Sequence, residues 1–553
     1  MSTMTGAKAL IEILRQEGVE YIFGIPGATE TYFMEALEDE PSIKYILSLN
    51  EIVSTGMAEG YARTSGKPGV LNLHTSPGLA AAMPMLCNAF HGGVPLIVTA
   101  GQQDTRLMAS EPSLYDDMIK MSAPFVKWGT EVNHVEDLAM VMRRAFKTAT
   151  QNPTGPVFVS LPHNVLGENL DFEYYRTSPN NKVYPDIDVI KKAADLLVGA
   201  EIPVIIVGDG IGKSGALKEV TVFAEEIGAK VYQGWMSEVN FPCNHPQYMY
   251  DLDVNNLATR DLLEKFDMLV VVGAPFFSMS EYVPKSLLTP RTKIIQIDSN
   301  PWQISKNFPI NCAVEGDIRE SLIKLVAVLK NQLTDEARGI IKNRIAAITQ
   351  EKQKSNQSFL EKVAKEKENF PISCTRLMQE IKDALKPGTR IVEDSWSYSA
   401  ILRRYFDFSE PLSYQRLRGG GSIGWGLPGA LGVKLASPDR PVVCISGDGS
   451  ALWGIQSLWT ASHYNLPVTY IILSNSCYRN VRLIRKKILG PRGEGKLLGT
   501  DLSNPKNDFC KLAEGMGLAA QRVDKPEDLK SVLKTAVNMD KANLVEVQID
   551  SSL

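Results

Sequence analysis

Asp448 and Asn475 are the residues whose types and spacing most directly imply chemistry. Each follows a short apolar run, Val442 to Ile445 before Gly447-Asp448-Gly449-Ser450 and Val468 to Leu473 before Ser474-Asn475. A helical pattern from Leu452 to Tyr464 lies between them, and Pro467 opens the second run. This order spells a βαβ unit. Loops beyond the carboxyl ends of neighbouring parallel strands share one crevice. Asp448 and Asn475 are therefore expected to meet across 26 intervening residues. One anionic and one neutral oxygen donor suit Mg²⁺, whose octahedral oxygen shell is readily completed by phosphates. Gly447 and Gly449 let backbone approach such phosphates, and Ser450 opens a helix whose amides favour an anion. The expectation is a metal-diphosphate site.

Three further side chains sit at strand ends. Glu51 follows the strand Tyr45 to Leu49 and enters the first turn of a helix over Ile52 to Thr64, where a carboxylate ordinarily complements the helix dipole. His74 follows the strand Val70 to Leu73, a place for a structural hydrogen bond or for proton transfer. Gln102 ends the strand Pro95 to Ala100, where its amide either caps the loop or reaches a substrate. Past Asn475, a basic cluster of Arg479, Arg482, Arg485, Lys486 and Lys487 reads as a solvated helix face or as a hold on an anionic substrate.

The elements that must position these residues fall into three α/β domains, each a doubly wound parallel sheet, at 1–180, 185–345 and 365–553. Asp171 to Asp186 is a linker by composition, and Arg338 to Glu368 a charged helical connector. In the middle domain, Gly210, Gly212 and Gly215 after the strand Pro203 to Val207 keep dinucleotide-loop spacing. The next strand ends at Gln233, where a ribose-binding carboxylate is wanted. FAD is thus possible there but unsupported. Residues Arg418 to Pro428 are too rich in glycine for the interior of an element.

Composition sets the class. A formal charge of -4 and a pI near 6.0 argue against nucleic-acid or membrane-surface partners. No apolar run of membrane-spanning length and no basic, apolar leader is evident. Seven scattered Cys without a C-x-x-C pair suit reduced thiols in the cytoplasm, and six His make a multi-histidine metal site implausible.

GDGS, 23 residues, then Ser474-Asn475 resembles the motif of thiamine diphosphate enzymes, with Ser474 in place of the first of two Asn. The likeness extends over nearly the whole chain. Asn72-Leu73-His74 and Pro95 to Gln103 (PLIVTAGQQ) bring it closest to benzoylformate decarboxylase, with acetolactate synthase as the other branch. The resemblance implies a pyrimidine-binding first domain, a Rossmann-like middle domain and a diphosphate-binding third. It implies metal ligation by Asp448, Asn475 and the Cys477 carbonyl, with Gly447, Gly449, Ser450 and Tyr478 around the cofactor. Trp396 and Ser397 would hold diphosphate, Ile423 would be the apolar wedge beneath the cofactor, and the Gly421 carbonyl would accept from its 4' nitrogen. Glu51 would share a proton with N1' of the pyrimidine, and His74 would move protons at a 2-oxo acid substrate that Gln102 could touch.

Two positions depart from benzoylformate decarboxylase: Ala28 stands for a serine and Ser280 for a second histidine. The reaction implied is decarboxylation or lysis of a 2-oxo acid, with acetolactate-type carboligation as the alternative and a catalytically silent homologue as a rival of another class. A homodimer or homotetramer is implied, with the site at the subunit interface.

Overall fold

Apolar runs bounded by turn residues fold, among the described residues, into three parallel sheets of six strands each. The computed structural model describes residues 2–176, 182–234, 236–275, 286–366, 369–495 and 498–551. β1 (Ser2–Thr5) precedes the first sheet, which holds β2 (Tyr21–Gly24), β3 (Lys44–Leu47), β4 (Gly69–Leu73), β5 (Leu96–Gln102), β6 (Gly129–Glu131) and β7 (Val157–Pro162) in the order β3-β2-β4-β5-β7-β6. β8 (Asn169–Phe172) then returns antiparallel to β1. Asp171 and Phe172 are therefore strand rather than linker, because Leu170 and Phe172 have a buried face to fill.

The middle sheet orders its strands β11-β10-β9-β12-β13-β14, from β9 (Pro203–Val207), β10 (Lys230–Gln233), β11 (Tyr248–Asp251), β12 (Met268–Val272), β13 (Lys293–Asp298) and β14 (Cys312–Glu315). The third runs β16-β15-β17-β18-β20-β19, from β15 (Arg390–Asp394), β16 (Tyr414–Arg416), β17 (Val442–Gly447), β18 (Val468–Ser474), β19 (Ala519–Val523) and β20 (Asn543–Gln548). Helices cover both faces, so central strands such as β12 and β18 are buried at every residue. The connector helix spans Asp335–Glu366; Glu368 lies outside the described residues.

Strand order reverses between β2 and β4 in the first sheet and between β15 and β17 in the third. These switch points open crevices at the strands' carboxyl ends. The first crevice receives Gly24 to Gly27 and His74, and the third receives Asp394 to Ser397 and Gly447 to Ser450.

Two helices join the first and third domains. The Glu51–Ser65 helix is capped by Asn50, whose Oδ1 accepts from Ile52 N at 2.8 Å, and it stops at left-handed Gly66. It crosses the Gly426–Ala436 helix backbone to backbone: a Cβ on Gly60 would overlap the Gly429 carbonyl, and one on Gly432 the Met57 carbonyl. The expected helix from Leu452 to Tyr464 is broken, with its regular part at Ser457–His463. Gly454 lies against the Gly424 carbonyl, 2.6 Å from where a Cβ would stand, and the tight fit to the glycine-rich loop accompanies the 3₁₀ turn Leu452–Gly454.

Candidate active site

At the third sheet's switch point, β17 and β18 run in register with Gly447 opposite Leu473, which brings Asp448 beside Asn475. Asp448 Oδ2 accepts from Asn475 N at 3.0 Å and Ser476 N at 2.6 Å, and Oδ1 accepts from Gly449 N at 2.8 Å. Burial nevertheless pushes this carboxyl up to about 6, because three amides only partly offset its desolvation. A bound cation would reverse that cost. Asn475 Oδ1 accepts from Cys477 N at 3.0 Å while its Nδ2 donates to the Tyr398 hydroxyl at 3.2 Å. The Cys477 carbonyl accepts from Arg479 N at 2.9 Å.

Asp448 Oδ1, Asn475 Oδ1 and the Cys477 carbonyl each accept only one hydrogen bond and retain acceptor capacity, so the set fits a hard divalent cation. Around it, Gly447 has nothing within 4 Å of a would-be Cβ, leaving its backbone open to a ligand. Gly449 lies against the Tyr478 ring, 2.6 Å from a would-be Cβ, and Ser450 is buried behind it. Trp396, at a positive φ of 42°, and Ser397 are half-buried on the neighbouring loop.

The glycine-rich loop is gripped from two sides. Asp394 Oδ2, at the end of β15, accepts from Gly424 N at 2.9 Å and Gly426 N at 3.1 Å. Asn88 of the first domain binds both backbone groups of Ser422. Gly421, at φ 81°, stands clear with nothing within 4 Å of a would-be Cβ, and Ile423 is half-buried.

At the first sheet's switch point, His74 Nδ1 lies 2.9 Å from Glu30 Oε2. Glu30 is buried and collects three further donors: Gly27 N at 2.8 Å, Thr29 Oγ1 at 2.8 Å and Gly101 N at 2.9 Å. The His74 ring occupies the space that a Cβ on Gly27 would need. With Nδ1 held by Glu30, Nε2 is the nitrogen left for the crevice. Glu51 is half-buried at the first turn of its helix, its Oε1 3.3 Å from a would-be Cβ on Gly78, and burial raises its carboxyl above the usual range. No side chain donates to it in the described structure.

Gln102 faces inward instead. It is 1% exposed, its Nε2 donates to the Asp116 carbonyl at 3.2 Å and its Oε1 accepts from Gln103 N at 3.0 Å, so its amide tethers its own loop. Ser280 lies outside the described residues. Among the basic residues past Asn475, Arg482 bonds Thr500, Lys486 pairs with Glu494, Lys487 reaches the Asn255 carbonyl and Arg479 covers the Tyr398 ring.

The middle-domain glycine loop does not suit a dinucleotide diphosphate. Its amides are engaged internally, Gly210 N by the Gly273 carbonyl at 2.8 Å, Ile211 N by Gly208 at 3.0 Å and Gly212 N by Asn240 Oδ1 at 3.3 Å. Asp209 and Glu238 ion-pair there with Arg418, and Lys213 Nζ reaches the Gly92 carbonyl at 2.7 Å. These groups are thus taken up by protein partners.

Glu30, Asn88, Asp394 and Tyr398 went unnoticed as single residues in the sequence. Only Asp394 carried a signal, as a carboxylate at the end of an apolar run.

Three family descriptions match the chain: the N-terminal binding domain of thiamine pyrophosphate enzymes at residues 4–121, their central domain at 190–325 and their C-terminal binding domain at 397–547. The chain is 30% identical to a benzoylformate decarboxylase of Pseudomonas aeruginosa, over 98% of each chain. It is 28% identical to an acetolactate synthase large subunit of Haemophilus influenzae, over 100% of this chain and 96% of that one. A solved thiamine diphosphate-dependent 4-hydroxybenzoylformate decarboxylase from Rhodococcus jostii RHA1 superposes with a TM-score of 0.86 at 28% identity, over 99% of both chains.

Proposed function

The chain belongs to the thiamine pyrophosphate enzyme family, and from that premise we propose that it is a Mg²⁺-dependent 2-oxo acid decarboxylase. The observation that carries this reading is the His74–Glu30 pair at the crevice where Glu51 also emerges. When bound, thiamine diphosphate supplies a nucleophilic thiazolium carbon and a sink for the electron pair left as carbon dioxide departs. Asp448, Asn475 and the Cys477 carbonyl would hold Mg²⁺, and Gly447, Gly449, Ser450, Tyr478, Trp396 and Ser397 would hold the diphosphate. Ile423 would support the cofactor, and Gly421 would offer its carbonyl to the 4' nitrogen.

Glu51 shares a proton with N1', a task that suits a carboxyl whose burial favours the protonated form. His74 delivers a proton through Nε2 to the carbon that loses carbon dioxide, and Glu30 keeps the ring turned for that transfer. Ala28 adds no hydroxyl and Ser280 no imidazole, which leaves His74 the only imidazole the reading uses.

The site is shared between chains of a homodimer or homotetramer. In one chain Gly78, beside Glu51, and Asn88, beside the glycine loop, are ten residues apart on one helix, about 15 Å at helical rise. N1' and the 4' nitrogen sit on one pyrimidine, and that span between the neighbours of Glu51 and of the glycine loop favours drawing the two from different chains. The domains are assigned to 1–180, 185–345 and 365–553. The cytoplasm suits a chain whose seven cysteines are all unpaired.

Carboligation of two 2-oxo acids is the second reading, favoured by the full-length similarity to acetolactate synthase large subunits. Incubation with Mg²⁺, thiamine diphosphate and a panel of 2-oxo acids separates the two by mass spectrometry: aldehydes are expected, and hydroxyketones as the sole products would overturn the decarboxylase assignment.

A further inference from the structure

The loop that carries Gly421 and Ile423 is shaped by a side chain from another domain. Asn88 Oδ1 accepts from Ser422 N at 3.0 Å and Asn88 Nδ2 donates to the Ser422 carbonyl at 2.9 Å, so one amide satisfies both backbone groups of one residue. Asn88 is fully buried. The loop lies on its helix so closely that a Cβ on Gly420 would come within 2.5 Å of Asn88 Cα, and one on Gly419 within 3.0 Å of His91 Cβ. On the far side of Ile423, Asp394 takes Gly424 N. Ile423 is thus fixed at both flanks, by Asn88 through Ser422 and by Asp394 through Gly424.

We propose that Asn88 is a positioning residue for the thiamine diphosphate site, setting the height of the Ile423 wedge and the direction of the Gly421 carbonyl. The physical reason is the backbone there: Gly419, Gly421 and Gly424 all adopt positive φ. A segment with that much conformational freedom holds one shape only if its amides and carbonyls are bound. The same helix, Thr75–Gly92, begins at His74. His74 and Asn88 are 14 residues apart, about 21 Å along the axis. In a dimer with shared sites, one helix therefore presents His74 to one cofactor and steadies the loop beneath the other.

The inference rests on the thiamine diphosphate reading of the site, and the test separates the two. In the cofactor-free protein, amide hydrogen exchange is followed by mass spectrometry over residues 417–427 for wild type, Asn88→Ala and Asn88→Asp. With Mg²⁺ and thiamine diphosphate added, exchange of the C2 hydrogen of the bound cofactor is followed by quenched NMR. Asn88→Ala is expected to raise loop exchange roughly tenfold and to slow C2 exchange on the order of 10²-fold. Asn88→Asp, which keeps the acceptor for Ser422 N, is expected to show smaller changes in the same directions and serves if the alanine variant does not fold. Unchanged loop exchange in both variants overturns the proposal, and so does faster loop exchange with C2 exchange within twofold of wild type. A wild-type protein that leaves C2 exchange at the rate of the free cofactor overturns the thiamine diphosphate reading itself, whatever the loop does.

Discussion

Mixing two inactive variants tests whether Glu51 and Asp448 act across chains. On the proposed reading, Glu51→Gln removes the proton partner of the pyrimidine and Asp448→Ala the anionic metal ligand, so neither variant alone forms a complete site. The expected recovery follows from geometry. Glu51 lies beside Gly78, the glycine loop lies on Asn88, and about 15 Å of helix separates them within one chain. On that reading, a site that needs both draws Glu51 from one chain and Asp448, in the same domain as the glycine loop, from its partner. In a mixed dimer, one site combines both substitutions and the other combines neither. Random pairing of equal amounts makes half the dimers mixed, each with one of two sites intact, and about a quarter of wild-type activity should return. The assay is to unfold and refold the two variants together, then measure carbon dioxide release from the 2-oxo acid that wild type prefers. Recovery should track the fraction of mixed dimers found by native mass spectrometry. Mixed dimers with no recovered activity, alongside active wild type refolded in parallel, would refute the shared-site geometry.

The other predictions are narrower. Glu51→Gln should lower turnover by about 10²-fold or more with cofactor still bound, as calorimetry would show. Burial raises the Glu51 carboxyl, so its protonated form favours the fold: that contribution is complete below the free-glutamate value near 4.3 and is lost as pH rises through the raised one. The Gln variant should therefore melt higher than wild type at pH 7, with the two converging in acid; a constant offset would contradict this. Glu30→Gln turns a donor toward either Gly101 N or the Gly27 and His74 side, leaving one buried amide unpaired at a cost of about 1–3 kcal/mol. Turnover should fall and its pH profile should shift as His74 changes tautomer, whereas a profile identical to wild type would show that Glu30 does not orient the ring. Gly432→Ala forces a methyl into the Met57 carbonyl and should destabilise by about 1–3 kcal/mol in urea unfolding, and no change in midpoint would mean the two helices separate freely.

The sheets and their switch points were legible because buried parallel strands are continuous apolar runs, and Val442 to Ile445 followed by Asp448 predicts the strand Val442–Gly447 and its polar end. Local breaks were not. Leu452 to Tyr464 reads as one helix because its apolar spacing is regular, and the interruption at Gly454 accompanies Gly424, a contact across 30 residues that periodicity does not encode. Composition marks Asp171 and Phe172 as linker because the β1–β8 pairing that makes them strand joins residues some 168 apart. His74 could be singled out by its position after a strand, but Glu30 meets His74, Gly27 and Gly101 only once β2, β4 and β5 are aligned. Gln102 illustrates the converse: a strand-end amide offers two uses, and the burial that decides between them depends on the loop that reaches Asp116.

Three carboxylates of the site, Glu30, Asp448 and Glu51, differ in how many donors surround them, which suits them to different proposed roles. Glu30 accepts four hydrogen bonds, so both oxygens are committed to holding His74, Gly27, Thr29 and Gly101 in place. Asp448 accepts three, all from backbone amides at strand ends, which fixes its direction but leaves burial dominant and its value near 6. A divalent ion is the partner that would complete its electrostatics. Glu51 has its own helix-end amide and the nearby His74 against desolvation, and burial still prevails and favours the acid form. A carboxyl short of donors has an oxygen left to share a proton with a ring nitrogen, whereas the oxygens of Glu30 are already taken. Supplying Glu51 with a new donor, for instance by Gly78→Ser where a Cβ would stand 3.3 Å from Oε1, should lower its affinity for that proton and slow C2 exchange while leaving Mg²⁺ affinity unchanged. A Gly78→Ser protein with C2 exchange as fast as wild type would show that donor count does not set the role of Glu51.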